Sequence, residues 1–163
     1  MKKSILIIGK EDEGKSTTIR EVVRRLEPSH IWKVSIEKDS KGTVIVKSKQ
    51  EVGVDDIING TYVIEVNGIC ILVIAGSPTE QKFKFMDIYE ACLKECPNIL
   101  IILCAKRTKE LKEGFNTVTD LEAISEIIHR EQLIKIEDDN FRSSPLWEER
   151  IRRLVGLIED NLV

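Results

Sequence analysis

Apolar and polar positions divide the 163-residue chain into runs of two periods. Residues 4–8, Ser4 followed by four apolar side chains, read as a strand buried on both faces. From Lys15 the spacing changes: Ile19, Val22, Val23 and Leu26 fall at i, i+3, i+4 and i+7, which predicts a helix stopped by Pro28. Arg24 and Arg25 suit its C-terminal end, where the helix dipole is negative. Residues 32–37 alternate, 38–42 are turn-like and 43–47 are rich in β-branched side chains, which predicts a hairpin. Residues 49–60 are polar, with the pair Asp55-Asp56, and read as a loop or short helix. Residues 61–66 and 69–75 flank Asn67-Gly68, the favoured sequence for a two-residue type I′ turn. The second arm is nearly all apolar and is expected at the sheet centre; the first alternates and is expected nearer an edge.

After Gly76-Ser77-Pro78 the pattern predicts a helix over 79–96, capped by Thr79, with Phe83, Met86, Tyr89, Leu93 and Cys96 on one face. Residues 98–104 form another apolar strand, followed by a basic, polar loop over 105–117. Thr119 and Glu122 resemble a capping box, opening a helix with Leu121, Ile124, Ile127 and Ile128 inward. A short strand is expected over 133–136. A last helix is expected from Ser144-Pro145, with Trp147, Ile151, Leu154, Val155, Ile158 and Leu162 inward. This order predicts a single α/β domain over 1–163: a three-layer sandwich with a mostly parallel central sheet and antiparallel edge hairpins. Ligands of such sheets lie at the carboxyl ends of the strands. Four segments are thereby expected around a ligand: 9–17, 49–61, 76–80 and 105–117.

Composition narrows the setting. A net charge of −3 makes no case for a nucleic-acid or membrane partner, and no apolar run approaches the length of a membrane span. The apolar run after Met1-Lys2-Lys3 is about five residues, too short for a secretory leader. Cys70 and Cys104 lie in strand-like runs as small core hydrophobes. Cys92 and Cys96 are four apart on a helix but lack further ligands at metal spacing. The cysteine usage points to a reducing cytoplasm. His30 and His129 are isolated, and nothing marks either as catalytic.

The candidate chemistry lies between the first strand and the first helix. Gly9, four intervening residues and Gly14-Lys15-Ser16 match G-x-x-x-x-G-K-[ST]. A triphosphate needs many donors and close backbone approach. Gly9 and Gly14 are expected to turn with positive φ and leave room for phosphate. The amides of residues 10–16 would converge on the anion, at the positive end of the following helix. Lys15 is the expected β- and γ-phosphate cation and the catalytic residue; the Ser16 hydroxyl is the expected Mg²⁺ ligand. Lys10, Glu11, Asp12, Glu13 and Thr17 complete the loop, with three acids beside the phosphates.

These residues resemble the P-loop NTPase superfamily, and the hairpin before Gly76 resembles the small GTPases. That resemblance implies a P-loop fold and binding of ATP or GTP with Mg²⁺. It further implies a γ-phosphate-sensing role for Gly76 and a nucleotide-side role for Lys106 and Arg107. Two positions depart from it. Val73 stands where the family has a metal-holding Asp, and Thr108 where it has the Asp that reads guanine. Three functions follow: a weak NTPase, the leading one; a small-molecule or nucleotide kinase with Lys106, Arg107, Lys109 and Lys112 as a lid; or a non-catalytic nucleotide-binding switch with a protein partner. Asp39, Asp55, Asp56 or an acid of the loop would supply the missing acid.

Overall fold

The computed structural model describes residues 1–163 except Asp12, Asp138 and Val163. Seven strands are described: β1 (Lys2–Ile8), β2 (His30–Lys38), β3 (Val44–Glu51), β4 (Thr61–Val66), β5 (Ile69–Ile74), β6 (Ile99–Lys106) and β7 (Ser125–Gln132). They form one sheet in the order β3-β2-β4-β5-β6-β1-β7. The helices are α1 (Lys15–Leu26), α2 (Pro78–Gln81), α3 (Phe85–Glu95), α4 (Thr117–Ile124) and α5 (Pro145–Asp160). Helices α1 and α5 cover one face, where Ile19, Val22, Leu154 and Ile158 pack on Ile5, Ile7 and Leu103. Helices α3 and α4 cover the other, where Phe85, Ile88, Cys92 and Leu121 pack on Leu6, Leu72 and Ile102. Ile5, Leu6 and Ile7 are fully buried, as the unbroken apolar run requires of a strand covered on both sides. Among the described residues no helix is long and apolar enough to cross a membrane.

The sheet is mixed rather than mostly parallel. β1–β6, β1–β7 and β5–β6 pair parallel, whereas β2–β3, β2–β4 and β4–β5 pair antiparallel. The two hairpins are consecutive and share the β2–β4 pairing, so they build half of the sheet instead of trimming its edge. Strand β4 is consequently interior and almost wholly buried. Its tight turn is as expected, with Asn67 at φ 51° and Gly68 at φ 77°.

Three expected elements differ. The 79–96 helix is broken: Lys82 adopts φ 64°, ending α2, and α3 starts afresh at Phe85. The buried face of α3 is Phe85, Ile88, Tyr89, Ala91 and Cys92, of which only Tyr89 belongs to the expected stripe. Thr79 is not the cap; Ser77 holds that position. Helix α4 is capped by Asn116, whose Oδ1 accepts from the Thr119 amide, and it stops at Ile124. Ile127 and Ile128 belong to β7, and residues 133–136 are irregular. Pairing with β1 overrides the helical spacing there, and Ser125 Oγ marks the switch by donating to Leu121 O while meeting Ser4 Oγ at 2.8 Å.

Strands β5, β6, β1 and β7 run in one direction. Their carboxyl ends therefore open on the same edge, and the segments leaving them meet there.

Candidate functional site

The loop between β1 and α1 opens with the Gly9 amide donating to Lys106 O at 3.1 Å, which ties it to the end of β6. Gly14 has φ 89° and forms the left-handed entry to α1, and its carbonyl accepts from the Thr18 amide at 2.9 Å. Any other residue would strain that entry. Gly9 is not in the left-handed region. A Cβ there would rest 3.4 Å from the Cβ atoms of Glu13 and Leu133, so Gly9 serves close packing, not the expected turn.

Lys15 is 6 % exposed. Its ammonium donates to Gly9 O at 3.0 Å and Lys10 O at 2.9 Å, and lies 3.6 Å from Glu80 Oε1. The Ser16 hydroxyl lies 3.1 Å from Asn59 Oδ1 and 3.2 Å from Ala75 O, between the segments that precede β4 and follow β5. Arg107, just beyond β6, brings its guanidinium to 3.3 Å from Glu80 and 4.0 Å from Glu11. Its Nε is buried without a directed hydrogen bond, so the Glu80 contact is electrostatic and leaves a donor free to turn to a ligand. Glu11, Gly14, Lys15, Ser16, Thr17, Asn59, Glu80 and Arg107 thus enclose a cleft of about 410 Å³.

The acids of the loop have roles in this arrangement. The Glu13 carboxylate accepts from the Lys10 amide, one of the donors expected to face phosphate. Glu11 faces Arg107. The protein's own carboxylates, with Glu80, occupy the cations and an amide that an anionic ligand would use. Asp12 lies outside the described residues.

A second cleft of about 190 Å³ shares Gly14 and Thr17 with the first and continues past Glu13 to Lys135, Ile136, Phe141, Trp147 and Arg150. Trp147 is buried and meets Phe141 edge-on at 5.1 Å. Arg150 is 8 % exposed; it donates to Ile134 O at 2.8 Å and to Thr18 Oγ1 at 3.4 Å. Burial pulls its pKa down, and among the described residues no carboxylate forms an ion pair with it.

All four expected segments reach this edge, but not all expected residues face the cleft. Gly76 is spent on packing: its amide donates to Gly60 O at 3.1 Å, and a Cβ would stand 2.8 Å from Gly60 N. Lys106 turns its ammonium to Arg107 O. Val73 is fully buried, and Thr108 Oγ1 is buried without a partner. The acids expected to stand in for Val73 are used elsewhere. Asp39 accepts from the Lys41 and Thr43 amides, Asp55 pairs with Arg24, and Asp56 accepts from the Gly53 amide. Lys109 is exposed, and Lys112 lies over Phe115 and lines a different cleft.

Glu80, Asn59 and Arg150 were not singled out by the sequence. Glu80 and Asn59 fall inside the expected segments 76–80 and 49–61, but only the paths of those segments show which side chain turns inward. Arg150 carries a weak signal, a cation on the otherwise apolar face of α5. The four cysteines are free, and Cys92 and Cys104 are buried. Among the described residues no three metal-holding acidic, His or Cys side chains cluster. No protein-family model, no curated protein and no solved structure matches the chain, so the reading of this cleft rests on its own residues.

Proposed function

We propose that the chain binds a nucleoside triphosphate with Mg²⁺ and hydrolyses its γ-phosphate slowly. One observation carries the reading. The residues of the phosphate-loop pattern sit between a buried strand and a helix N-terminus. There Lys15, Ser16 and Arg107 converge on one cleft at the carboxyl edge of the parallel strands. In this reading Lys15 leaves Gly9 O and Lys10 O for the β- and γ-phosphates, and the loop amides and α1 receive the remaining charge. Arg107, an addition to the loop itself, takes the γ-phosphate. The second cleft takes the nucleoside end, with Trp147 and Phe141 as its apolar wall and Arg150 as a donor.

The oxygen donors around Ser16, which are its own hydroxyl, Asn59 Oδ1 and the Glu80 carboxylate, fit Mg²⁺. A site without an all-protein cage among the described residues suits an ion that arrives on phosphates. Bound there, Mg²⁺ would neutralise phosphate charge. Glu80 is the acid that takes the place left empty at Val73, and it would orient the attacking water. The water oxygen bonds to the γ-phosphorus, the bond to the β,γ-bridging oxygen breaks, and a proton is released. Glu11, the other acid described in the cleft, faces Arg107; with Glu80 alone orienting the water, turnover is slow.

The test is calorimetry with Mg²⁺ and each of ATP, GTP, CTP and UTP, followed by phosphate release. Binding of none of the four sinks the proposal. Tight binding without any phosphate release over hours selects the switch reading, which the buried Val73 favours. Of the lid cations that the kinase reading names, Arg107 lines this cleft and Lys112 lines a different one.

A further inference from the structure

A third cleft, of about 350 Å³, opens between the tip of the β2–β3 hairpin, α3 and the loop after β6. Lys38, Lys82, Lys84, Lys94 and Lys112 line it, against only two carboxylates, Asp87 and Glu90. In a chain of net charge −3 this is a marked concentration of positive charge. Among the described residues none of the five ammonium groups forms an ion pair, although Asp87 and Glu90 are beside them. Elsewhere among the described residues Lys3, Arg24, Arg130, Arg152 and Arg153 each hold a carboxylate, while the exposed Lys33, Lys41, Lys47 and Lys109 are as free of ion pairs as the five in the cleft; what sets the cleft apart is that its five lysines share one concavity.

Two of the lysines are also positioned. Lys84 lies along Gly114, whose φ is 82°, and a Cβ at 114 would stand 3.1 Å from the Lys84 ammonium. The Lys112 ammonium sits 5.3 Å over the Phe115 ring. The aromatic rings in the cleft, Phe83 and Phe115, are half-buried and covered, so they offer no stacking platform for bases. A cleft of about 350 Å³ is of the size that takes a small molecule. Lysines bind phosphate as rotating point charges, with three donors each.

We propose that this cleft is a second anion site, for a small molecule carrying two or more phosphate groups. It is separate from the nucleotide site and shares none of its lining residues. Helix α2 lies between them: Glu80 faces the phosphate loop, and Lys82, immediately after the helix, faces the lysine cleft. An occupant is therefore two residues from the carboxylate that holds Lys15 and Arg107.

The probe is inorganic tripolyphosphate, titrated calorimetrically at physiological salt into Lys15→Ala, which removes the loop's phosphate cation. The expected result is one equivalent bound. Affinity should fall at least about tenfold when Lys82→Glu and Lys84→Glu are added, or in the milder Lys38→Gln, Lys112→Gln variant. Lys82→Glu with Lys84→Glu in the otherwise unaltered chain should keep the nucleotide affinity of the parent, which separates failure here from failure of the nucleotide reading. No heat with Lys15→Ala overturns the proposal. So does unchanged binding after charge reversal. Tighter binding of an acidic peptide or an oligonucleotide of equal charge overturns the small-molecule class.

Discussion

Replacing Glu80 by Gln keeps the shape of the side chain and removes its charge. The carboxylate lies 3.6 Å from the Lys15 ammonium and 3.3 Å from Arg107 Nε. At an effective dielectric of about 20 each contact corresponds to roughly 5 kcal/mol of bare Coulomb attraction. Desolvation and screening take most of that back, since Glu80 is 24 % and Arg107 37 % exposed. Measured pairs of this kind are worth about 0.2–1 kcal/mol. Freeing both cations should therefore tighten binding of the triphosphate without Mg²⁺ by about 1 kcal/mol, or about fivefold. Hydrolysis moves the other way. If Glu80 orients the water, its loss lowers kcat by about 10²–10⁴-fold. The assay is steady-state phosphate release beside calorimetric Kd without Mg²⁺ for the same variant. Tighter binding with much slower turnover is the expected split. Unchanged kcat, or weakened binding with unchanged kcat, refutes the role assigned to Glu80.

Other consequences are simpler. Gly76→Ala should lower urea-unfolding stability by about 1–3 kcal/mol, because its Cβ would stand 2.8 Å from backbone nitrogen that cannot swing away. Equal stability would show that the 60–76 contact yields easily. Arg150→Met should weaken ATP or GTP binding while leaving tripolyphosphate binding at the loop unchanged; equal losses for both would remove the nucleoside role of the second cleft. The Arg25 guanidinium, helped by Arg152, holds the Glu148 carboxyl down at about 2. A carboxyl with a depressed folded pKa contributes stability above its ordinary value near 4.5 and loses it as pH falls toward about 2. Acid titration of the melting temperature should accordingly be shallower between pH 4.5 and 2 in Arg25→Met, and an unaltered slope would contradict the pairing.

How far the sequence carried this picture depended on whether an element's pattern was local. The first strand, the glycine loop and α1 were legible because each is specified by its own residues: an apolar run, a glycine that must adopt φ 89°, and a stripe at helical spacing. The Asn67-Gly68 hairpin was legible for the same reason. The break at Lys82 was not, since a left-handed lysine has no sequence signature and the stripe from Phe83 to Cys96 reads through it. Nor was β7. Its Ile127 and Ile128 fit helical spacing with Leu121 and Ile124, and only pairing with β1 decides for a strand. At the site, Lys15, Ser16 and Arg107 came from a pattern or its neighbourhood, while Glu80 is a single acid on a four-residue helix. Its role follows from where β5 ends relative to β1, with β6 between them. Asp39, Asp55 and Asp56 show the converse: as acids near the expected edge they fitted the vacancy at Val73, yet each is consumed by a turn or an arginine.

The most direct test of nucleotide binding is thermal protection of the chain and of Lys15→Ala by ATP, GTP, CTP and UTP with Mg²⁺. A ligand at a hundredfold excess over Kd stabilises by about 2.7 kcal/mol through mass action. For a domain of this size that raises the melting temperature by roughly 5–10 °C. At least one triphosphate should produce this shift in the parent chain, and none should produce it in Lys15→Ala carrying Lys82→Glu and Lys84→Glu, which also removes the lysine cleft as a phosphate site. No shift with any of the four, or an equal shift in the variant, would contradict the account.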